Sequence, residues 1–297
     1  MPQLLRALMC LPEYYGINWE DPEKNPWMSK NRQPDKELAL AQWARLVSLL
    51  QRLSGWDNVH FLPPQPGLGD QVFMANAAGL LELRSGKKVF IKSNLAPEDR
   101  KPENEIAAHW LFEHGFNVYS LPRHLIFEGQ GDIITTRDAY LYCYGIRNST
   151  EAMEKIERTF NLSKPVVYLR LIDRDYYHGD MAIRYSLFRD ALLFYPGAFD
   201  SESILSIEDL KARKKEMPER YLVQTIERNE KFFGRNFPLN GCYIGNVETF
   251  PWNESGGEFP RELRSWVEKG GGEVVLIDFS QFGLSGAGHR CTVLFLD

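Results

Sequence analysis

The sequence lacks the features that mark several large classes of protein. Its 297 residues hold four cysteines, Cys10, Cys143, Cys242 and Cys291, and no CxxC pair, so neither a zinc cluster nor a disulfide framework is indicated. No apolar run approaches the ~20 residues of a membrane-spanning helix. The N-terminal stretch is interrupted too soon for a signal peptide. We therefore expect a cytoplasmic protein whose thiols are free.

An excess of basic charge is also missing. The formal net charge is −5, and the one basic cluster is KARKKE at 211–216. We expect this cluster to lie on the surface, and we expect neither a nucleic-acid nor a membrane partner. With 43% apolar residues, the chain is long enough to bury a large core in one domain or two.

Periodic runs of apolar residues predict the secondary structure. Helical spacing predicts helices at 35–53, 103–114, 207–215 and 261–269. Strand-like runs lie between them, among them KKVFIK, DIITTRDAYLYCYG, VVYLRLI, QVFMANAAGLLEL, GEVVLIDF and CTVLFLD. Helices and strands alternate from end to end, which indicates an α/β fold.

Five strand-like runs share a format in which a polar residue or a thiol comes first. These opening residues are Asp70, Asp132, Asp180, Asn240 and Cys291, at separations of 62, 48, 60 and 51 residues. Such spacing indicates one supersecondary unit used several times, and units arranged around an axis would bring the opening residues to a common centre. The alternative is that Gly-Asp begins strands only because both residues suit turns.

Two further residues add chemistry to this set. His178 stands two positions before Asp180 in YYHGDMAI, so in a strand both side chains would face the same side. Glu128 precedes two glycines in FEGQGD, and glycines permit close backbone approach. The alternatives are a structural histidine and a solvated surface glutamate. Together with Cys291, these residues would supply a nucleophile, a general acid and base, and several carboxylates.

This combination favours a guanidine as the substrate. A thiol needs help to ionise near neutral pH, since its free pKa is ~8.5. Several carboxylates in one pocket repel each other unless they share a cation. A guanidinium meets both needs, because its N–H groups match carboxylates in bidentate pairs. We therefore expect Cys291 to attack the central carbon of a guanidine, whereas a cysteine peptidase would not need so many acids.

The chain resembles the guanidine-modifying superfamily of penteins, which includes arginine deiminases, dimethylarginine dimethylaminohydrolases, amidinotransferases and arginine dihydrolases. It is most similar to the catalytic domain of cyanobacterial-type arginine dihydrolases. The resemblance implies a single catalytic domain over residues 1–297, folded as a five-bladed pseudo-symmetric α/β propeller. The blocks that carry it keep their order along nearly the whole chain: LMCLPEYYGINWEDPEKNPWM, GLGDQVFMANAAGL, GFNVYSLP, FEGQGDII, YGIRNS, LRLIDRDYYHGD, FYPGAF, NFPLNG and RCTVLFL.

The resemblance also implies roles for individual residues. Cys291 matches the family nucleophile, His178 the general acid and base, and Glu128 the third catalytic residue. Asp70 and Asp180 match the carboxylates that hold the guanidinium.

Four more residues match positions around the rest of the substrate. Asn76 matches an asparagine of the dihydrolase branch that the family links to ammonia release in two rounds. Asn25, Arg100 and Arg147 match positions that grip the α-carboxylate and amino group of an amino acid. The alternative for each arginine is an ordinary surface charge.

The implied activity is that of a cysteine-dependent hydrolase acting on arginine or a similar small guanidine through a covalent amidino-thioether. A dihydrolase would form ornithine, ammonia and carbon dioxide, and a deiminase would form citrulline and ammonia. No metal and no organic cofactor is implied. An amidinotransferase and a non-catalytic binding pentein remain as alternatives, and a homo-oligomer is left open.

One stretch of the pocket departs from the family pattern. HGDMAIRY stands where the family usually has HLDT, so Gly179 replaces a leucine of the pocket wall and is expected to leave room for a larger or differently shaped guanidine. At the end of the chain stands GHRCTVLFLD. In a strand, His289 would share the face of Cys291 and Arg290 would point away. We therefore expect thiol activation from His178 and the bound guanidinium, with a solvent-facing His289 as the alternative.

Overall fold

The computed structural model describes residues 5–186, 188–212, 224–225, 237–253 and 258–297. The helices are α1 Lys36–Ser54, α2 Lys101–Glu113, α3 Thr150–Thr159, α4 Gly179–Ala182, α5 Ser201–Ala212, α6 Arg261–Glu268 and α7 Ser280–Gly283. The strands are β1 Ala7–Cys10, β2 Val59–Leu62, β3 Ala78–Glu82, β4 Lys88–Lys92, β5 Val118–Ser120, β6 Ile133–Thr135, β7 Tyr140–Tyr144, β8 Val166–Arg170, β9 Ile183–Ser186, β10 Ala191–Phe194, β11 Gln224–Thr225, β12 Tyr243–Ile244, β13 Val247–Pro251, β14 Glu273–Ile277 and β15 Leu294–Phe295. The predicted α/β class is confirmed.

Within the described ranges the strands form five three-stranded sheets, all built in the same way. In the second sheet β3 and β4 pair antiparallel, α2 follows, and β5 lies parallel to β4. The third, fourth and fifth sheets repeat this pattern with β6–β8, β9–β11 and β12–β14. The first sheet joins the two ends of the chain, because β15 pairs antiparallel with β1 and β2 lies parallel to β1. The repeated unit indicated by the spacing of the opening residues is therefore present.

The strands that begin the five repeated units converge on one cavity of about 350 Å³. Its lining includes residues of β3, β6, β9, β12 and β15, and β15 is the strand that begins the unit of the first sheet. Helices α1, α2, α3, α5 and α6 each lie in the connection between the second and third strands of a sheet, whereas the short helices α4 and α7 do not. Helix α1 buries Trp43, Leu46 and Leu50 in one apolar cluster with Met9 of β1 and Val59 of β2. Each such side chain contributes about 2 kcal/mol of burial free energy.

The local sequence explains the helix ends. Asp35 caps α1 by accepting a hydrogen bond from the backbone N of Leu38, as its position before the apolar repeat predicts. Gly115 follows α2 with a φ of 81°, a left-handed conformation that favours glycine. The helix predicted at 207–215 begins earlier, at Ser201, and residues 213–216 of its end and of the basic cluster lie outside the described residues. Helix α3 is absent from the sequence-based prediction.

The prediction that strands begin directly at the opening residues is wrong in three of the repeats. Short helical turns stand there instead: Gly69–Val72 and Met74–Asn76 before β3, α4 before β9, and Arg290–Thr292 before β15. Gly-Asp suits the first residues of a helical turn as well as the start of a strand. His178 and Asp180 therefore do not share one face of a strand, because His178 occupies the N-cap position of α4 and Asp180 lies within that helix.

Candidate active site

His178 is held between two carboxylates. Its Nδ1 lies 2.7 Å from Oδ2 of Asp132, and its Nε2 lies 3.3 Å from Oε2 of Glu128. Asp132 is fixed in turn, because its Oδ1 accepts a hydrogen bond from the backbone N of Gly179. Burial by itself lowers the pKa of His178, but Asp132 and Glu128 outweigh burial and raise that pKa to about 9. The imidazole therefore holds a proton at neutral pH and can give it to a leaving group.

Glu128 is fully buried and forms a bidentate ion pair with Arg147. Nε and Nη2 of Arg147 each donate to a carboxylate oxygen of Glu128 at 2.9 Å, and the backbone N of Ala96 donates to Oε1. Burial raises the pKa of Glu128, but Arg147 and His178 outweigh it and hold that pKa well below its usual range. Glu128 is therefore a permanent anion beside the imidazole. The two glycines after it are required: a side chain at Gly131 would meet Nδ2 of Asn76 at 2.6 Å.

The thiol of Cys291 lies between a carboxylate and an amide. Its Sγ is 3.6 Å from Oδ2 of Asp180 and 3.1 Å from Nδ2 of Asn240. Burial, and then the charge of Asp180, raise the pKa of Cys291 well above that of a free thiol. Burial also raises the pKa of Asp180, to about 6. In this state the sulfur carries its proton and contacts the side chain of Asp180. A cation bound beside the pair would favour the thiolate of Cys291 and the carboxylate of Asp180.

Asp70 and Arg100 form a second buried charge cluster. Oδ2 of Asp70 accepts from Nε1 of Trp19 at 2.7 Å and lies 3.5 Å from Nε of Arg100, whereas its Oδ1 is buried and has no hydrogen-bond partner. Nε and Nη2 of Arg100 both donate to Oε2 of Glu103 at 3.0 Å. Burial raises the pKa of Glu103 to about 8. Asp70 thus keeps one carboxylate oxygen available for a ligand.

Asn76 joins this cluster to the histidine. Its Oδ1 accepts from Nη1 of Arg100 at 3.3 Å, and its Nδ2 lies 3.3 Å from Nε2 of His178. The structure therefore brings Asp70, Asn76, Glu128 and His178 into one network of contacts.

The three residues expected to grip an amino acid all have protein partners. Arg100 and Arg147 are both buried in ion pairs, so the surface-charge alternative for them is wrong. Nδ2 of Asn25 donates to the hydroxyl of Tyr177 and to the backbone O of Ser285, and its Oδ1 accepts from the backbone N of Trp27. The gripping role of these residues stays a prediction.

The residues beside Cys291 answer the question raised by its position. Residues 290–292 form a helical turn rather than a strand, so the expected alternation of side chains is wrong. His289 is fully buried and neither faces solvent nor contacts the thiol; it is hydrogen-bonded to Oγ1 of Thr249 and to the backbone O of Ile277. Burial lowers the pKa of His289 to about 3. The guanidinium of Arg290 donates to Oε1 of Gln130 and to the backbone O of Val293, and its charge lowers the pKa of Cys291 without a hydrogen bond to the sulfur.

The expectation for Gly179 is also wrong. A Cβ built at Gly179 would collide with Sγ of Cys143, lie 2.7 Å from Cβ of Cys143, and meet Cδ1 of Ile134 at 3.0 Å. Position 179 therefore faces a packed core and not a ligand pocket. Glycine is present here because Cys143 occupies the space that a side chain would need.

We expect Gly179→Ala to destabilise the fold by about 1–3 kcal/mol, the usual cost of overpacking a core. The double variant Gly179→Ala with Cys143→Ala should recover part of the loss, since the nearest atom is the sulfur. Urea unfolding of both variants measures the two changes. Equal stability of Gly179→Ala and the unaltered protein would contradict this account.

Three residues that the sequence-based site did not include are central to its geometry. Asp132 orients His178, Asn240 contacts the nucleophile, and Glu103 pairs with Arg100. Asp132 and Asn240 carried a usable signal, because both are among the five opening residues. Glu103 carried none, as it reads like any first-turn acid of a helix.

Within the described parts of the chain, no group of three or more histidine, cysteine, aspartate or glutamate side chains is placed to hold a metal ion. None of the described helices combines the length and the hydropathy that a bilayer crossing demands.

The chain is similar to three known enzymes. The bifunctional arginine dihydrolase/ornithine cyclodeaminase ArgZ of Synechocystis is 30% identical over 293 residues, which are 98% of this chain and 37% of ArgZ. The corresponding AgrE of Nostoc is 34% identical over 211 residues, 70% of this chain and 28% of AgrE. The N(G),N(G)-dimethylarginine dimethylaminohydrolase of Mycobacterium tuberculosis is 28% identical over 293 residues, 99% of this chain and 86% of that protein. The chain is similar to arginine dihydrolases and to a dimethylarginine dimethylaminohydrolase, as its resemblance to the guanidine-modifying superfamily of penteins implies. It spans about a third of the length of the two bifunctional members, and no family model matches it.

A solved structure of the superfamily agrees over the whole chain. The N-terminal domain of ArgZ, covalently bound to a reaction intermediate, superposes with a TM-score of 0.81 at 28% identity and covers 99% of this chain and 98% of that domain. This chain therefore matches the N-terminal domain of ArgZ, which in that structure is a variant that holds the covalent intermediate.

Proposed function

We propose that this chain is a cysteine-dependent guanidine hydrolase that acts on arginine by way of a covalent amidino-thioether. The observation that carries the proposal is the contact of the Cys291 thiol with the buried carboxylate of Asp180. A thiolate at that position would be repelled by the carboxylate, so the pair can ionise together only when a cation binds beside it. The dihydrolase names of ArgZ and AgrE make arginine the first substrate to test.

The carboxylates define where the cation binds. Asp180 contacts the nucleophile, and the unpartnered Oδ1 of Asp70 is a buried acceptor that a guanidinium N–H would satisfy. Glu128 adds a negative charge beside His178. A planar guanidinium can donate to several carboxylates at once. Held in this way, it presents its central carbon to the sulfur.

The first half of the reaction forms the covalent intermediate. The Cys291 thiolate attacks the central carbon of the guanidinium and forms an S–C bond. The bond from this carbon to a terminal nitrogen breaks, and its electron pair stays on that nitrogen. His178, protonated because two carboxylates flank it, supplies the proton with which the nitrogen leaves as ammonia.

The second half restores the enzyme. His178, now neutral, takes a proton from a water molecule that attacks the amidino carbon, and the S–C bond breaks. The product of one round on arginine is citrulline. A second round on the ureido group consumes another water and releases ammonia and carbon dioxide, which leaves ornithine. Asn76 contacts both His178 and Arg100, and we propose that it supports this second round.

The same proposal covers the architecture and the remaining site residues. Five equivalent sheets, a pairing of the last strand with the first, and one cavity lined by the strands that begin the five units support a five-bladed α/β propeller that forms one catalytic domain.

The remaining site residues lie beside groups already described: Arg100 beside Asp70, Arg147 beside Glu128, and Asn25 beside Tyr177. We propose that these three residues bind the α-carboxylate and amino group of the substrate, the two arginines through the N–H groups that the contacts above leave free.

Incubation with arginine alone tests the function. We expect ammonia to be released, with ornithine rather than citrulline as the main product, because Asn76 is present. Chromatography of amino acids together with an ammonia assay identifies both. Product that forms only after glycine or another acceptor amine is added would establish an amidinotransferase instead. No product from arginine or from a panel of other guanidines would leave the non-catalytic pentein as the better reading.

A further inference from the structure

Asn240 is a buried polar residue that the mechanism above does not use. Its side chain has no exposed surface, and it lies in the turn before β12. Nδ2 donates to Sγ of Cys291 at 3.1 Å and to the backbone O of Asp180 at 3.2 Å. Oδ1 accepts from the backbone N atoms of Gly288 and Cys291, both at 3.1 Å. Both donors and both lone pairs of the amide are therefore in use.

These contacts fix which end of the amide meets the sulfur. Oδ1 must face the backbone N–H groups of Gly288 and Cys291, because an amide nitrogen there would oppose two donors. Nδ2 therefore points at Cys291 and can only donate. The backbone of Asn240 adds a further tie, since its O accepts from the backbone N of Arg290. Asn240 thus binds the segment that carries Cys291 in two ways, through the backbone of residues 288–291 and through the sulfur of Cys291.

The backbone N–H of Gly288 also lowers the pKa of the Cys291 thiol, and Oδ1 of Asn240 holds that same N–H. The other side chains around the sulfur do not donate to it. Asp180 is an acceptor and, when ionised, opposes a negative sulfur. His289 is hydrogen-bonded to Thr249 and Ile277, and the guanidinium of Arg290 is bound to Gln130 and to the backbone O of Val293. Among the described side chains, Asn240 is the one whose N–H donates directly to the sulfur.

We propose that Asn240 is a catalytic residue whose side-chain amide stabilises the Cys291 thiolate by a direct hydrogen bond and couples its position to that of Asp180. The inference rests on the proposed function, in which Cys291 is the nucleophile. The same amide ties the sulfur to the backbone of helix α4, which carries Asp180, so nucleophile and guanidinium-binding carboxylate keep a fixed separation. A hydrogen bond to a charged acceptor is stronger than one to a neutral acceptor, so Asn240 favours the thiolate over the thiol.

The variant Asn240→Asp separates the donor from the loop-holding contacts. Aspartate has nearly the same shape and can still accept from Gly288 and Cys291, but it offers an oxygen to the sulfur in place of an N–H. We expect the apparent pKa of Cys291 to rise by about one unit or more, which lowers its alkylation rate by iodoacetamide about tenfold at neutral pH. Alkylation followed against pH without substrate measures this directly. In arginine turnover, kcat should fall more than KM rises.

Two further variants separate a thiol effect from a general loss of stability. Asn240→Ala removes both the donor and the acceptor and should also raise the apparent pKa of Cys291. Gln42→Ala is the matched control, because Gln42 is a buried amide that donates to Asp278 and Ser280 and accepts from Gln281 away from the thiol. It should lower the melting temperature but leave the Cys291 titration unchanged. An unchanged titration in both Asn240 variants would overturn the proposal and make Asn240 structural.

A measurement on the unaltered protein covers the case in which both Asn240 variants fail to fold. The side-chain amide resonances of Asn240 should shift with the ionisation of Cys291 in a nuclear magnetic resonance titration, and this shift should be lost in Cys291→Ser. Resonances that do not respond to the ionisation of Cys291 would refute the hydrogen bond. Because alkylation and resonance titrations need no turnover, a chain that is inactive on every guanidine would sink the proposed function without deciding this inference.

Discussion

Cys291→Ala is expected to abolish turnover of arginine while the protein remains folded. In the proposed reaction the sulfur forms the covalent bond, and no other described thiol has a carboxylate and an amide donor in contact with it. Removal of a catalytic nucleophile typically lowers kcat by roughly 10⁴-fold or more. The side chain is small, so the loss of stability should be about 1 kcal/mol. Ammonia release and thermal unfolding, measured on the same sample, report the two effects.

The other cysteines supply the control for this prediction. Cys10 is equally buried, but it lies in β1 within an apolar cluster, and burial raises its pKa to about 12. Cys10→Ala should lose a similar amount of stability and keep its activity. Mass spectrometry should then find the amidino adduct on Cys291 in this control and none in Cys291→Ala. Residual turnover in Cys291→Ala at more than a few per cent would end the role of Cys291 as nucleophile.

Much of the fold could be predicted because its signals are local. Asp35 and the apolar repeat after it define α1, and the spacing of the opening residues indicates the repeated unit. The pairing of β15 with β1 carries no such signal, since it joins residues from opposite ends of the chain. The helical turns before β3, β9 and β15 were mistaken for strand because their apolar residues are buried in either conformation.

The site was predictable where a residue type alone specifies a chemistry. Cys291, His178 and Glu128 could be singled out as nucleophile, acid and base, and carboxylate. Their orientation could not be predicted, because it depends on groups brought from elsewhere in the chain. His289 is the clearest example: its partners Thr249 and Ile277 lie on β13 and β14, and only these contacts show that it is buried and turned away from Cys291.

The role of Asp132 leads to the second large effect. Its Oδ2 holds Nδ1 of His178 at 2.7 Å, and its Oδ1 accepts from the backbone N of Gly179. In Asp132→Asn, the amide oxygen can keep the bond to Gly179, but the amide nitrogen then faces Nδ1 and favours an imidazole without a proton there. We expect kcat to fall by roughly 10²–10⁴-fold, the range attributed to general acid and base catalysis.

The pH dependence of Asp132→Asn provides a readout that a loss of folding would not reproduce. Asp132 and Glu128 raise the pKa of His178 to about 9, so its acidic form is available below that pH and is lost as the pH rises through it. Without the charge of Asp132 this pKa falls, so the alkaline limb of the kcat profile should move to lower pH. Asp278→Asn is the matched control, because Asp278 also accepts from one side chain, Gln42, and one backbone N, that of Ser280. An alkaline limb that stays in place in Asp132→Asn, or that moves equally in Asp278→Asn, would show that Asp132 does not set the proton affinity of His178.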